Sequence, residues 1–421
     1  MKIVMFYHSL VSDWNHGNAH FLRGAAMELI KRGHAVDIYE PENGWSLSNL
    51  IATHGTGPLR EFRARFPLLK SICYEIDNLD LDRALDRADV VLVHEWNEPA
   101  LVRRIGEHRF KSGGRYHLFF HDTHHRAITA PQEMRRYDLS HYDGVLAYGD
   151  LLREIYVRRG WAWRAWTWHE AADTNVFRMS RNGHFDGDLV WIGNWGDDER
   201  AAELREFFVE PIKALGLRAK VFGVRYPQHA LDMLRDAGIC YGGWLPNYRV
   251  PETFARFRIT LHVPRRPYAR LLSGIPTIRP FEALACGIPL VCSPWNDSEN
   301  LFEPGRDFLV AKNGTEMKRH LRALLSDKKM AHDIATHGMN TVHARHTCAH
   351  RVDELMSIVR DLDSPPAASK KKQIESPGNI TLFSRRVSAA AHLGRAAAVS
   401  GMSGNGTALS HHPFNSTKEA G

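Results

Sequence analysis

Short apolar runs alternate with amphipathic stretches of helical period through the first 170 residues. Lys2–Tyr7 predicts a strand, Ser9–Gly17 a loop, and a segment from about Asn18 to Arg32 a helix that Gly33 ends. Ala35–Tyr39, Ala88–Val93, Tyr116–Phe120 and Gly144–Tyr148 predict further strands, each running into a polar loop. Strands joined by helices in this rhythm imply a mostly parallel sheet covered on both faces. A second series begins near Asp188, with strands at Leu189–Ile192, Lys220–Gly223, Ile259–Val263, Leu290–Cys292 and Phe308–Val310 and a helix at Glu199–Leu215. Helical patterns follow at about Thr315–Leu325, Asp327–His337 and Cys348–Leu362.

The polar, aperiodic stretch 179–187 separates the two series and is the expected linker. The expected organisation is one domain at 1–178 and a second at 188–345. A helix at 346–362 would pack back toward the first domain, and a low-complexity tail would fill 363–421. Both domains are α/β, doubly wound and Rossmann-like, facing each other across a cleft. Ligands in such sheets sit beyond the carboxyl ends of the strands.

Composition narrows the function classes. Five cysteines stand singly at 73, 240, 286, 292 and 348, without a C-x-x-C pair, so a reducing cytoplasmic setting is expected. The opening residues are too short and polar for a signal peptide, and no apolar run approaches the roughly 20 residues of a membrane span. The net charge is +7, but between Ser364 and Gly421 seven Lys or Arg stand against two Asp or Glu, leaving the body near +2. That distribution argues against a nucleic-acid-binding surface. The basic tail leaves peripheral contact with an anionic membrane surface open.

Several strand ends carry candidate chemistry. In the loop after the first strand, Gly17 allows a close backbone approach and Asn18 can cap the helix, whose free amides suit a phosphate or a polar sugar edge. His121 and Asp122 end another strand, with His124 and His125 close behind; zinc is an alternative reading, without the spacing of a helical zinc site. Within His94-Glu-Trp-Asn-Glu98, Glu95 or Glu98 can bind acceptor hydroxyls or act as a base. His169-Glu-Ala-Ala-Asp173 falls where the first domain closes. In the second domain, Gly193 and Gly196 of Gly193-Asn-Trp-Gly196 permit a close diphosphate approach, with Asn194 between them a further donor-binding candidate, and Trp244 can wall the base or fill the core. Arg265, Arg266 and Arg279 are the candidate diphosphate cations, each equally readable as a surface ion pair.

The most informative stretch runs from Gly274 to Val291. Thr277 through Pro280 read as an extended approach to a helix, with Phe281, Leu284 and Ala285 turned inward and Glu282 left at a cleft rim. A carboxylate there can accept both vicinal hydroxyls of a ribose, or simply favour the helix dipole.

Val250-Pro-Glu-Thr-Phe254, His262-Val-Pro-Arg-Arg-Pro-Tyr268, Thr277 through Pro289, Phe302-Glu-Pro-Gly-Arg-Asp-Phe-Leu309 and Arg345 through Arg351 resemble the CgeB-like (spore-maturation type) glycosyltransferases of the GT-B fold. More distantly the chain resembles the retaining family 4 transferases. The resemblance covers most of 1–360 at fold level, with its specific motifs in 240–351. It implies Glu282 on the donor ribose and a histidine, here His121, aimed at the transferred sugar. Two departures stand out: Gly274 occupies the place of a first glutamate, and Gly193–Gly196 lacks the usual Arg and Lys. The implied activity is transfer of a sugar from a nucleotide-sugar donor, UDP-linked, to a hydroxyl-bearing glycan or small molecule. No metal or other cofactor is expected. If the reaction inverts the anomeric centre, Glu98, Asp122 or His121 supplies the base. A nucleotide-sugar epimerase and a non-catalytic carbohydrate-binding or scaffold protein are the alternatives.

Overall fold

A computed structural model of the chain describes residues 1–180, 184–196 and 198–364. Two parallel sheets organise it. The first contains β1 (Lys2–Phe6), β2 (Ala35–Pro41), β3 (Ser71–Tyr74), β4 (Val90–His94), β5 (His117–Asp122), β6 (Gly144–Ala147) and β7 (Ala165–Thr167), ordered β3-β2-β1-β4-β5-β6-β7. The second contains β8 (Gly187–Ile192), β9 (Ala219–Phe222), β10 (Cys240–Tyr241), β11 (Phe257–His262), β12 (Leu290–Cys292) and β13 (Leu309–Val310), ordered β10-β9-β8-β11-β12-β13. Strand order reverses between β1 and β4 and again between β8 and β11. At such switch points successive loops diverge and leave room for a ligand.

The short strands β3, β7 and β10 and the helices Trp45–His54 and Gly57–Arg65 add to the elements expected from sequence. The expected helix at 199–215 is composite: Ala201–Leu204, a wide π turn at Arg205–Val209, then Glu210–Leu215. The expected helix at 327–337 continues to Arg345. The tail beyond Ser364, and residues 181–183 of the expected linker, lie outside the described residues.

Alternation along the strands distributes the core. Ile3 and Met5 of β1 and Phe119 of β5 point into one layer, while Val4, Phe6 and Phe120 point into the opposite one. The first layer is shared by both lobes, for it also includes Val190, Phe281, Leu284 and Val352. The outer layer of the second lobe is a separate cluster around Leu189, Trp191, Phe208 and Leu261.

The final helix, Cys348–Asp363, lies on the first-lobe helix Ala19–Lys31. Arg32 donates to Asp353 at 2.6 Å and to the Ala349 carbonyl at 3.0 Å. Gly24 permits this approach, because a Cβ there would stand 2.5 Å from the Cys348 sulfur. Thr347 and His350 form a reciprocal cap at the helix start. Just before it, Thr347 pairs in parallel with Ala172, and Cys348 N–H donates to the Ala172 carbonyl at 2.9 Å. The chain's two passages between the lobes are thereby held side by side.

Candidate active site

Guanidinium groups gather at the carboxyl end of the second sheet. The loop after β8 turns at Gly196, whose φ of +86° suits glycine, and a Cβ there would touch Arg265 and Arg200. Arg200 donates to the Val263 carbonyl at 2.6 Å and to the Asn194 carbonyl at 2.5 Å, while its Nε has no partner in the protein. Burial, together with the charges of Arg265 and Arg279, lowers its pKa to about 9. Arg265 and Arg279 thus both act on Arg200 near the β8/β11 switch point. His262, at the end of β11, contacts the Thr277 hydroxyl at 3.1 Å. Burial first, then Arg200 and Arg279, pushes this imidazole down to about 3. Arg200 escaped the sequence reading because it sits outside any motif.

Glu282 is the point where the lobes join. Helix Ile278–Ala285 begins directly after Thr277, so the expected extended approach through Pro280 is instead the helix's first turn. Phe281, Leu284 and Ala285 are buried, and Glu282 is itself 0 % exposed rather than at a rim. Its Oε1 lies 2.9 Å from His20 Nδ1 of the first lobe, and its Oε2 is paired with Arg279. His20 Nε2 accepts from the Asp173 N–H at 2.8 Å, so Nδ1 carries the proton and donates to Glu282. Nothing local in the sequence marks His20; only the tertiary contact reveals it. Nearby, Glu170 is buried with Oε1 unpartnered, and burial, reinforced by the Glu282 charge, raises its pKa well above the usual carboxylate range.

The first lobe contributes rings. His94, the last residue of β4, pairs in register with His121, the last but one of β5, with ring centres 5.2 Å apart. His8, beyond β1, stacks on His94 at 5.0 Å and meets His16 at 4.2 Å. Two imidazolium ions about 5 Å apart would repel by about 3 kcal/mol at an effective dielectric near 20. Burial lowers His8 and His121 to about 3 and also holds His16, His94 and His124 well below the ordinary value, with neighbouring charges adding to it for all but His121. The Trp96 N–H donates to His94 Nδ1 at 3.4 Å, leaving Nε2 as donor to the Thr123 hydroxyl at 3.2 Å. His8 Nδ1, His16 Nε2, His124 Nδ1 and both nitrogens of His121 lack partners in the protein. Trp96 is 43 % exposed, with His124 at 5.0 Å and the Arg126 guanidinium 4.0 Å over its ring.

The remaining candidates are dispersed. Asp122 follows His121 on β5 and therefore points to the opposite face, accepting from the Tyr156 hydroxyl at 2.7 Å and the His124 N–H at 2.9 Å. That alternation rules out a direct His121–Asp122 pair. Glu98 is exposed at the start of helix Pro99–Lys111, while Glu95 is buried against Arg126 at 2.6 Å. Asn18 stands at the cap position but does not cap; its amide donates to Thr123 at 2.6 Å. The Gly17 carbonyl accepts from Asn247, Asn194 donates to Asn15 at 2.6 Å, and the Gly193 carbonyl accepts from Tyr226. Trp244 Nε1 donates to Asp13 at 3.0 Å across the lobes. Arg265 contacts Glu199 at 3.4 Å, and Arg266 makes a two-pronged pair with Glu203 at 2.8 and 3.1 Å. Gly274 has φ +86°, and a Cβ there would lie 2.7 Å from Glu299 and Ser298, so a glutamate does not fit. Glu299 itself ties the lobes, accepting from Asp150 N–H at 2.9 Å and meeting His169 Nε2 at 2.6 Å. Among the described residues, no group of three or more His, Cys, Asp or Glu side chains converges to hold a metal ion, and no helix is long and apolar enough to cross a membrane.

This arrangement is the GT-B architecture of glycosyltransferases. Residues 200–357, less than half of the chain, match the model of a family described as Glycosyl transferase-like. No curated protein matches in sequence. Among solved structures, HepE from Anabaena, in complex with UDP and glucose, aligns with a TM-score of 0.60 at 13 % identity over 86 % of this chain and 99 % of that one. Sucrose-phosphate synthase from Thermosynechococcus elongatus aligns at 0.57 and 12 % identity, over 86 % of this chain and 99 % of its own. The phage T4 enzyme BGT, in complex with UDP and Mn2+, aligns at 0.55 and 14 % identity, over 85 % and 99 %. The family match includes Arg200, Arg265, Arg279 and Glu282.

Proposed function

We propose that the chain transfers a sugar from a UDP-sugar to an acceptor hydroxyl, and that within the GT-B transferases it is CgeB-like. The observation that carries the reading is the clustering of Arg265 and Arg200 about Gly196, with Arg279 also acting on Arg200, at the β8/β11 switch point. Concentrated positive charge there suits a diphosphate, and guanidinium groups match its oxygens in pairs. Similar folds bound to UDP, such as HepE, support uridine as the base. In this reading Arg265 and Arg279 grip the diphosphate and stabilise charge developing on the leaving phosphate. Glu282 exchanges its Arg279 contact for the ribose hydroxyls, while His20 holds the carboxylate in place. Neutral His121, buried with both ring nitrogens unpartnered, is the histidine that the CgeB-like reading assigns to the transferred sugar.

Calorimetry with UDP and GDP tests donor binding. Mass spectrometry of products from a UDP-sugar panel, with and without acceptor, separates transfer from hydrolysis and epimerisation. Absence of UDP binding would sink the reading.

A further inference from the structure

We propose that the imidazole wall of the first lobe is a binding subsite for an uncharged, hydroxyl-rich saccharide, lined by His8, His16, Trp96 and His124. That this saccharide is the acceptor rests on the transferase reading above; that the wall binds it does not.

The argument is one of matching hydrogen-bond capacity. His8 Nδ1, His16 Nε2 and His124 Nδ1 are buried with no partner in the protein, on a wall where the His8 and His124 rings themselves are only half-buried. Leaving such groups unmatched is costly, so a ligand that completes them gains the difference. Each neutral imidazole nitrogen either donates or accepts, and a hydroxyl answers both, whereas a phosphate or carboxylate oxygen only accepts. The rings lie too close together to share positive charge, with His8 only 4.2 Å from His16 and 5.0 Å from His94. Of the first-lobe cations beside the wall, Arg126 is already paired with Glu95 at 2.6 Å and Arg23 with Asp13 at 2.9 Å. An anionic acceptor would have to compete with Asp13 for Arg23, with Glu95 for Arg126 and, in the donor reading, with the diphosphate for Arg265, the guanidinium groups that act on His16 and His124.

The wall is also held by hydrogen bonds and partly exposed at His8, Trp96 and His124. His94 is locked between the Trp96 N–H and Thr123, whose hydroxyl further accepts from Asn18. Trp96, 43 % exposed, carries the surface on which the C–H face of a pyranose can lie, with its centre 6.1 Å from His8 and 5.0 Å from His124. Guanidinium charge thus suits the nucleotide on one lobe, while on the other Arg23 and Arg126 are each spent on a carboxylate of the protein.

The test uses the full chain with UDP-glucose and UDP-galactose as donors. Uncharged acceptors (glucose, galactose and their β-linked di- to tetrasaccharides) are set against sugar 1-phosphates and a polyprenyl phosphate. Product is expected only on uncharged saccharides. Trp96→Ala, at an exposed position, is expected to raise the acceptor KM about ten-fold, and His16→Asn to do the same, with UDP affinity within about two-fold of the unmodified protein. Transfer to a phosphate-bearing acceptor overturns the inference, as does unchanged acceptor KM in both variants. So does the absence of any saccharide product from protein that binds UDP; each of these leaves the donor reading standing. If UDP does not bind, the donor reading fails. Saturation-transfer NMR with the same saccharides then decides the subsite alone: a signal lost in Trp96→Ala supports it, and no signal overturns it.

Discussion

Across the crevice the first lobe presents neutral rings and the second presents guanidinium groups. Both walls stand at equivalent places, the switch point of a parallel sheet, yet they differ in how charge is treated. On the second lobe Arg200, Arg265 and Arg279 keep their charge close together, so a counter-ion is the natural complement. On the first, burial and ring crowding keep His8, His16 and His94 uncharged. The same backbone plan therefore yields an anion site or a hydroxyl site, according to whether the strand-end residues can lose their charge at neutral pH.

The junction between the walls gives the largest expected effect. Glu282→Ala removes the partner of both His20 and Arg279 and should cost about 3–5 kcal/mol of stability, as breaking a buried pair does. Thermal unfolding measures it; UDP calorimetry on the milder Glu282→Gln separates binding from folding. A melting temperature unchanged in Glu282→Ala would show that the walls do not depend on their junction.

Removing one cation tests the second wall directly. Arg265→Ala should weaken UDP binding by about 1.5–3 kcal/mol, a deficit that narrows as salt rises, with little change in melting temperature. Equal affinity in calorimetry would move the diphosphate away from this group.

For the first wall, pH is the probe. His8 has its folded pKa lowered to about 3, so below about 6.5 the unfolded chain takes up a proton that the folded one refuses. Stability from this group is full above pH 6.5 and is lost as pH falls, by up to about 1.4 kcal/mol per unit. Buried Asp122 and Glu170, raised above the carboxylate range, oppose this trend and favour the folded state as pH falls. Comparison with His8→Asn cancels them: between pH 6.5 and 5 the variant should lose about 2 kcal/mol less than the unmodified protein in urea titrations. Parallel curves would mean that His8 titrates normally.

The smallest effect marks the edge of the cationic wall. Arg266 is spent on Glu203 at the surface, and Arg266→Ala should leave UDP affinity within about two-fold and the melting temperature unmoved. A loss comparable to that of Arg265→Ala would redraw the site.

Much of the fold could be read from periodicity. Leu290–Cys292 is a strand as expected, and helix Ala19–Lys31 lies within the predicted Asn18–Arg32. Strands were missed where tertiary pairing, not pattern, makes them. Ser71–Tyr74 is an edge strand with Ile72 and Cys73 exposed, and Ala165–Thr167 is three residues of a tryptophan-rich run. Side-chain direction was harder to read. Consecutive strand residues face opposite ways, so His121 and Asp122 cannot share a task, and one turn of helix decides whether Glu282 lies at a rim or in a seam. His20 and Arg200 become visible only through contacts made by chain far away in sequence. The density of histidines just beyond β1 and β5 was the available signal for the ring wall.

The pairing of Ala172 with Thr347 bears on how substrates could enter. Two covalent straps lashed together behave like the knuckles of a door rather than a string. Opening would swing about the line of those straps, carrying the terminal helix with the first lobe, and would part the His20–Glu282 contact.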